Sequence, residues 1–170
     1  MKFSASLDRT VKIITVCISL LFLFVSLAYV RILTEQPNNL NLWLTMVATI
    51  LFFIAIALGC YLYAPQSYEV TVDALIIRRK IKDVVVPMTD IKEVRGIAEG
   101  EMKGLIRTFG VGGFFGYFGR FYAMGYGTMT FYATQSKNRV LIILRDEKKI
   151  VITPDDVSLQ TCLVNNFGNS

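Results

Sequence analysis

The sequence predicts two membrane-crossing helices followed by a small all-β domain of about seven antiparallel strands, a barrel or a sandwich, capped by a C-terminal α-helix. Three observations carry this. The first half holds two long runs without a charge, the part after Pro65 breaks into short alternating segments, and the last residues return to helical spacing. The chain has 170 residues, 54% of them hydrophobic and 18% charged. Soluble domains run nearer a quarter charged, so the apolar excess has to be located. Intrinsic disorder is excluded by the same figures.

The first run, Ile13–Val30, has 18 residues between Lys12 and Arg31; the second, Leu40–Ala64, has 25 and is closed by Pro65. A helix rises about 1.5 Å per residue, so about 20 apolar residues cross the roughly 30 Å hydrocarbon core. The expected organisation is an N-terminal segment 1–12, spans 13–30 and 42–64, a short outer loop 31–41 containing Pro37-Asn38-Asn39, and a domain over 66–170. A cleaved signal peptide is the rival reading of the first run, with Lys2, Arg9 and Lys12 before it and Ser26-Leu27-Ala28 as a small-x-small site. The run continues unbroken through Tyr29 and Val30, which favours an uncleaved anchor. Cytoplasmic flanks are rich in Lys and Arg. Lys2, Arg9 and Lys12 precede the first span and Arg78, Arg79, Lys80 and Lys82 follow the second, so both termini are expected in the cytoplasm. Cys17, Cys60 and Cys162 have neither disulfide nor metal spacing.

In the second half Tyr68, Val70 and Val72 alternate with Glu69, Thr71 and Asp73, the period of a half-buried strand. Further strands are expected at Leu75–Lys80, Val84–Val86, Ile91–Ile97, Thr128–Ala133, Val140–Leu144 and Ile150–Thr153. Pro87-Met88-Thr89-Asp90 reads as a turn, and Thr134–Asn138 and Asp146–Lys149 as polar connections of hairpin length. For the closing helix, Thr153 is the expected cap, Pro154 suits the first turn, and Asp155 and Asp156 favour the positive end of the dipole. Val157, Leu159, Leu163 and Phe167 supply its apolar residues.

Between the fourth and fifth of these strands the texture is anomalous. Ten of the twelve glycines fall between Gly96 and Gly127, and eight aromatics between Phe109 and Tyr126. The uncharged run Phe109–Gly119, between Arg107 and Arg120, is too short to span a bilayer as a helix. No Lys follows Gly113, Gly116 or Gly119, so a phosphate loop is excluded, and Phe115 breaks the dinucleotide-binding glycine pattern. Three readings stay open. In the favoured one, glycines serve tight turns and close backbone approach while aromatics fill the core. Otherwise Arg107, Phe109, Phe114, Phe115, Tyr117, Phe118, Arg120 and Tyr122 form a contact surface, facing either the membrane and its helices or a protein partner or second copy. Arg78, Arg79, Lys80 and Lys82 read as the solvated face of an edge strand, with anionic lipid contact as the alternative.

Catalysis is not expected. The chain has no histidine, the commonest general base and metal ligand. Glu99 and Glu101 sit in a turn-like stretch, and no Ser or Cys lies in a nucleophile motif. No cofactor or metal is expected. A net charge of +5 without a motif does not point to nucleic acid.

Seven strands and a closing helix follow the order of a pleckstrin-homology (PH) domain. The passage Val84-Val85-Val86-Pro87-Met88-Thr89-Asp90-Ile91-Lys92-Glu93-Val94 resembles the strand–Pro–turn–Asp-Ile–strand segment of bacterial PH-like families. Gly112-Gly113-Phe114-Phe115-Gly116-Tyr117-Phe118-Gly119, Tyr132-Ala133-Thr134 and Ile152-Thr153-Pro154-Asp155-Asp156 are similar to one branch, whose members place two transmembrane helices first. The resemblance implies a PH-like fold, with oligomer formation and protein contacts as expectations. It implies no phosphoinositide site, because the first hairpin, Val72-Asp73-Ala74-Leu75, offers an acid and no base. The expected function is a membrane-anchored binding module that recruits or scaffolds a protein partner, alone or as an oligomer. The alternatives are a lipid sensor that inserts its aromatic loop, and an accessory subunit of a transport or stress-response system.

Overall fold

The structure, a computed structural model, describes residues 1–98 and 100–167. Two apolar helices stand on a domain of two open sheets. Helix α1 (Arg9–Glu35) and helix α2 (Leu40–Tyr63) are each long and apolar enough to cross a bilayer, and the apolar window of each is unburied. Helix α1 runs beyond its uncharged stretch at both ends, α2 nearly fills the second, and only residues 36–39 lie between them. The Asp8 carboxylate caps α1 by accepting from the Val11 N–H at 2.7 Å, and Asn39 caps α2 from the Leu42 N–H at 3.3 Å. Phe22 of α1 stacks on Phe53 of α2 with ring centroids 4.1 Å apart.

Strands β1 (Lys2–Ser4), β2 (Pro65–Val70), β3 (Ala74–Arg79) and β4 (Val84–Pro87) form the first sheet in that order. The segment before α1 is therefore not a free tail. It pairs antiparallel with β2, Phe3 opposite Tyr68, so the chain leaves the sheet, makes both helices and returns to the neighbouring position. Pro87 and a single 3-10 turn at Met88–Asp90 then carry the chain into the second sheet. This sheet contains β5 (Ile91–Ile97), β6 (Ile106–Gly112), β7 (Tyr117–Ala123), β8 (Gly127–Ala133), β9 (Arg139–Leu144) and β10 (Lys149–Ile152), in the order β5-β9-β10-β8-β7-β6.

The expected closed antiparallel barrel of about seven strands is corrected on three counts. The sheets stay open, because the turn at Met88–Asp90 redirects the chain and β4 and β5 are not paired. There are ten strands among the described residues; the seven expected ones are present, with β1, β6 and β7 added. One pair, β8 with β10, is parallel, because β10 lies between β8 and β9 and the Thr134–Asn138 link steps across it instead of making a hairpin. Side chains hold that link down. Thr153 Oγ1 accepts from the N–H groups of Thr134 and Gln135 at 3.0 and 3.4 Å, and Gln135 Nε2 donates to the Pro154 carbonyl at 3.0 Å.

Thr153 is thus occupied and does not cap the last helix. Helix α3 starts later, at Ser158, and runs to Phe167, with Asp156 Oδ1 accepting from the Ser158 N–H at 2.8 Å. The Asp155 carboxylate is taken by the Ser6 N–H and hydroxyl. Leu159 and Leu163 of α3 are fully buried in the main core with Tyr68, Leu75, Ile77 and Ile142, whereas Val157 is exposed. A second core on the opposite face of the larger sheet gathers Met102, Phe121, Met129, Phe131 and Val151. Glu99, residues 168–170 and the Phe167 side chain lie outside the described residues.

Candidate functional site

The glycine–aromatic segment is a β-hairpin, β6–β7, not a loop. Glycine is required where its strands nearly touch. Gly110 and Gly119 are register partners at φ +111° and +120°, and a Cβ on either would fall 2.3 or 2.4 Å from a carbonyl oxygen of the facing strand. The turn 113–116 reaches the helices. A Cβ on Gly113 would lie 2.8 Å from Ile14 Cδ1, and the Phe115 N–H donates to Thr15 Oγ1 at 3.1 Å. Phe114, only 6% exposed, meets the Phe22 ring edge-on at 6.2 Å, while Phe115 meets Tyr61 at 5.7 Å.

Strand register divides the rest of the hairpin between two faces. Phe118 stands opposite Tyr132 and Arg120 opposite Thr130, on the face turned toward α2; Phe121 stands opposite Met129 on the core face. Arg107 is in register with Phe121 and leans over Gly112, so the two flanking arginines serve opposite faces. Tyr117 is half-buried, and burial followed by the nearby Asp8 carboxylate pushes its hydroxyl up. Toward the base of the hairpin Phe109 is 76% exposed, Ile106 61%, Tyr122 44% and Met124 70%. The eight residues expected to act together are therefore split. Phe114 and Phe115 pack on helices, Phe109 and Phe118 face α2, Tyr117 borders the second core, and Tyr122 is exposed.

The basic cluster also separates. Arg78 is held by Glu69 at 2.6 Å and Asp83 at 2.5 Å, which raises its pKa. Asp83 is lowered by the Arg79 N–H and then by Arg78. Arg79 instead lies between the rings of Tyr63 and Tyr132, 5.6 Å from each centroid, and its Nε donates to the Lys82 carbonyl at 2.7 Å. Lys80 stands 4.1 Å over the Tyr61 ring and donates to its hydroxyl. Two of the four cations thus grip the end of α2 through cation–π contacts. Lys82 is exposed. Sequence reasoning missed this link, since Tyr61 and Tyr63 read only as the end of a span.

Between Ile56, Gly59, Cys60 and Tyr63 of α2 and the outer face of β6–β8 lies an apolar cleft of about 440 Å³. Elsewhere, Glu101 accepts from Tyr126 and Ala98 and pairs with Arg95 at 3.1 Å, which lowers its carboxyl. That is a surface ion pair. Among the described residues no group of His, Cys, Asp and Glu side chains is arranged to hold a metal.

Two sheets about a common core, closed by a C-terminal helix and joined to two apolar helices, define a sheet-based domain carried on a helical pair. Residues 66–161 match the family described as Bacterial PH domain, more than half of the chain, and the chain belongs to that family. Comparison with curated proteins and with solved structures returned no match. PH-like domains are in general non-catalytic and mediate protein or lipid contacts.

Proposed function

We propose that this protein is a membrane-anchored bacterial PH module that recruits or scaffolds a protein partner at the cytoplasmic face of the inner membrane. The observation that carries this is the junction between domain and helices. Strand β1 pairs with β2, Asp8 ties the start of α1 to Ser136, and Phe114 and Phe115 pack on α1 and α2. A domain clamped in this way presents a fixed face. Ile106, Tyr122 and Met124 are exposed at the hairpin base, the end opposite the turn 113–116, beside the edge of β6 that no other strand among the described residues pairs. The β1–β2 pairing favours an uncleaved first helix with both ends of the anchor on one side, in agreement with the Lys and Arg bias. The Gly112–Gly119 string after two apolar helices supports the branch that carries such an anchor.

A photo-crosslinker at Tyr122 of the full chain in native membranes tests the reading. A discrete protein adduct is expected, lost on Ile106→Asp or Met124→Asp with melting unchanged. Absence of any adduct, or one indifferent to both substitutions, overturns it. An adduct of twice the chain mass identifies the partner as a second copy.

A further inference from the structure

We propose that the cleft between α2 and the β6–β7 hairpin holds one phospholipid of the surrounding leaflet, an acyl chain along its length and the phosphate on Arg79. The proposal rests on the reading of α1 and α2 as membrane-spanning helices. Ile56, Gly59, Cys60 and Tyr63 recur at helical spacing and make one wall from a single face of α2. Phe109, Val111 and Phe118 make the other. At about 440 Å³ the space falls within the range of small-ligand sites. At Gly59 no side chain fills it, and a Cβ there would meet nothing within 4 Å.

The depth and polarity of the cleft select the occupant. Tyr61 and Tyr63, with Lys80 over the Tyr61 ring, have the chemistry of the interfacial belt and set the headgroup level at the end of α2. Ile56 lies seven residues back, about 10 Å deeper along the helix. Hydrocarbon walls at that depth gain dispersion contacts from an acyl chain, whereas water finds few hydrogen-bond partners there. At the shallow end Arg79 is oriented by two tyrosine rings and uses Nε on the Lys82 carbonyl. Its terminal nitrogens make no hydrogen bond among the described residues, which leaves a planar fork of the kind that receives a phosphate. Arg120, opposite Thr130, adds positive charge on the same face.

The test is native mass spectrometry of the full chain released from nanodiscs of phosphatidylethanolamine and phosphatidylglycerol. One phospholipid should remain per chain. Gly59→Leu places a side chain in open space and should cut retention at least about tenfold, with melting unchanged; Arg79→Gln should also lower it. No retained lipid in the unaltered chain, or equal retention in both variants, overturns the proposal. So does a lipid-free mass of two chains that Gly59→Leu abolishes, which assigns the cleft to a second copy. Alkaline carbonate extraction separates the two levels. A chain released to the supernatant removes the membrane-spanning reading and the lipid site with it, while a chain kept in the pellet without bound lipid removes the lipid site alone.

Discussion

Tyr68 is the residue on which both sheets and the crossover link converge. Its buried hydroxyl donates to the Tyr132 carbonyl at 2.6 Å and accepts from the Thr153 N–H at 3.2 Å. Burial, offset in part by Thr153, pushes it up to about 12. Tyr68→Phe would remove the buried hydroxyl that serves the Tyr132 carbonyl and the Thr153 N–H, so a loss of about 1–3 kcal/mol is expected in the melting of the purified chain. The raised pKa also sets a pH dependence. Below pH 10, the ordinary value for tyrosine, native and unfolded chains both hold the proton and the contribution is complete. From there to about 12 only the native chain holds it, so stability falls as pH rises through that window. Ultraviolet titration should show a tyrosine ionising well after the exposed ones, and a loss of the pH slope in Tyr68→Phe checks the assignment. The alternation of Tyr68, Val70 and Val72 marks a strand in the sequence. The hydroxyl's two partners, 64 and 85 residues away, are set only by the fold.

The elements divide by the kind of signal they leave. The seven expected strands alternate or run apolar between turn residues, and each is present. Strands β6 and β7 are not legible in this way, because glycines interrupt the alternation and aromatics occupy both faces of the hairpin. Gly119→Ala should expose what those glycines do. An alanine there combines a left-handed backbone with a carbonyl contact, and a cost of roughly 1–3 kcal/mol is expected from thermal melting. A melt within error of the unaltered chain would mean that the strands can separate at no cost. Strand β1 is three residues long and has too few positions for a period to register. Helix α3 starts five residues after Thr153 because Thr153, Gln135 and Asp155 hold the intervening backbone in other hydrogen bonds.

Across the whole molecule, helices and domain are joined by contacts remote in sequence. Asp8 caps α1 with one carboxylate oxygen and accepts from the Ser136 N–H and hydroxyl with the other, at 2.9 and 3.0 Å. Asp8→Ala should cost about 1 kcal/mol for the lost cap alone, and hydrogen exchange should quicken at both Val11 and Ser136. Quickening at Val11 only would mean that the two ends are not coupled. Phe114→Ser removes the ring packed on Phe22, and a loss of up to roughly 3 kcal/mol is expected, with faster exchange across 106–123. Unchanged exchange there would show the hairpin standing without the helices. The two apolar helices are legible from composition alone. Their contact with the hairpin is not, since Thr15 and Phe115 are 100 residues apart.

The pairing of β1 with β2 has a consequence for assembly. These strands are antiparallel neighbours, but the connection between them is residues 5–64, the entire helical pair. In effect they form one hairpin whose turn is the pair of apolar helices. During synthesis β1 emerges before β2 and lacks this partner until both helices and Pro65–Val70 have followed. Closing so long an excursion carries an entropic cost that a tight turn does not. Strand β1 is thus placed only after both helices have been made, and its pairing records that Pro65–Val70 has followed them.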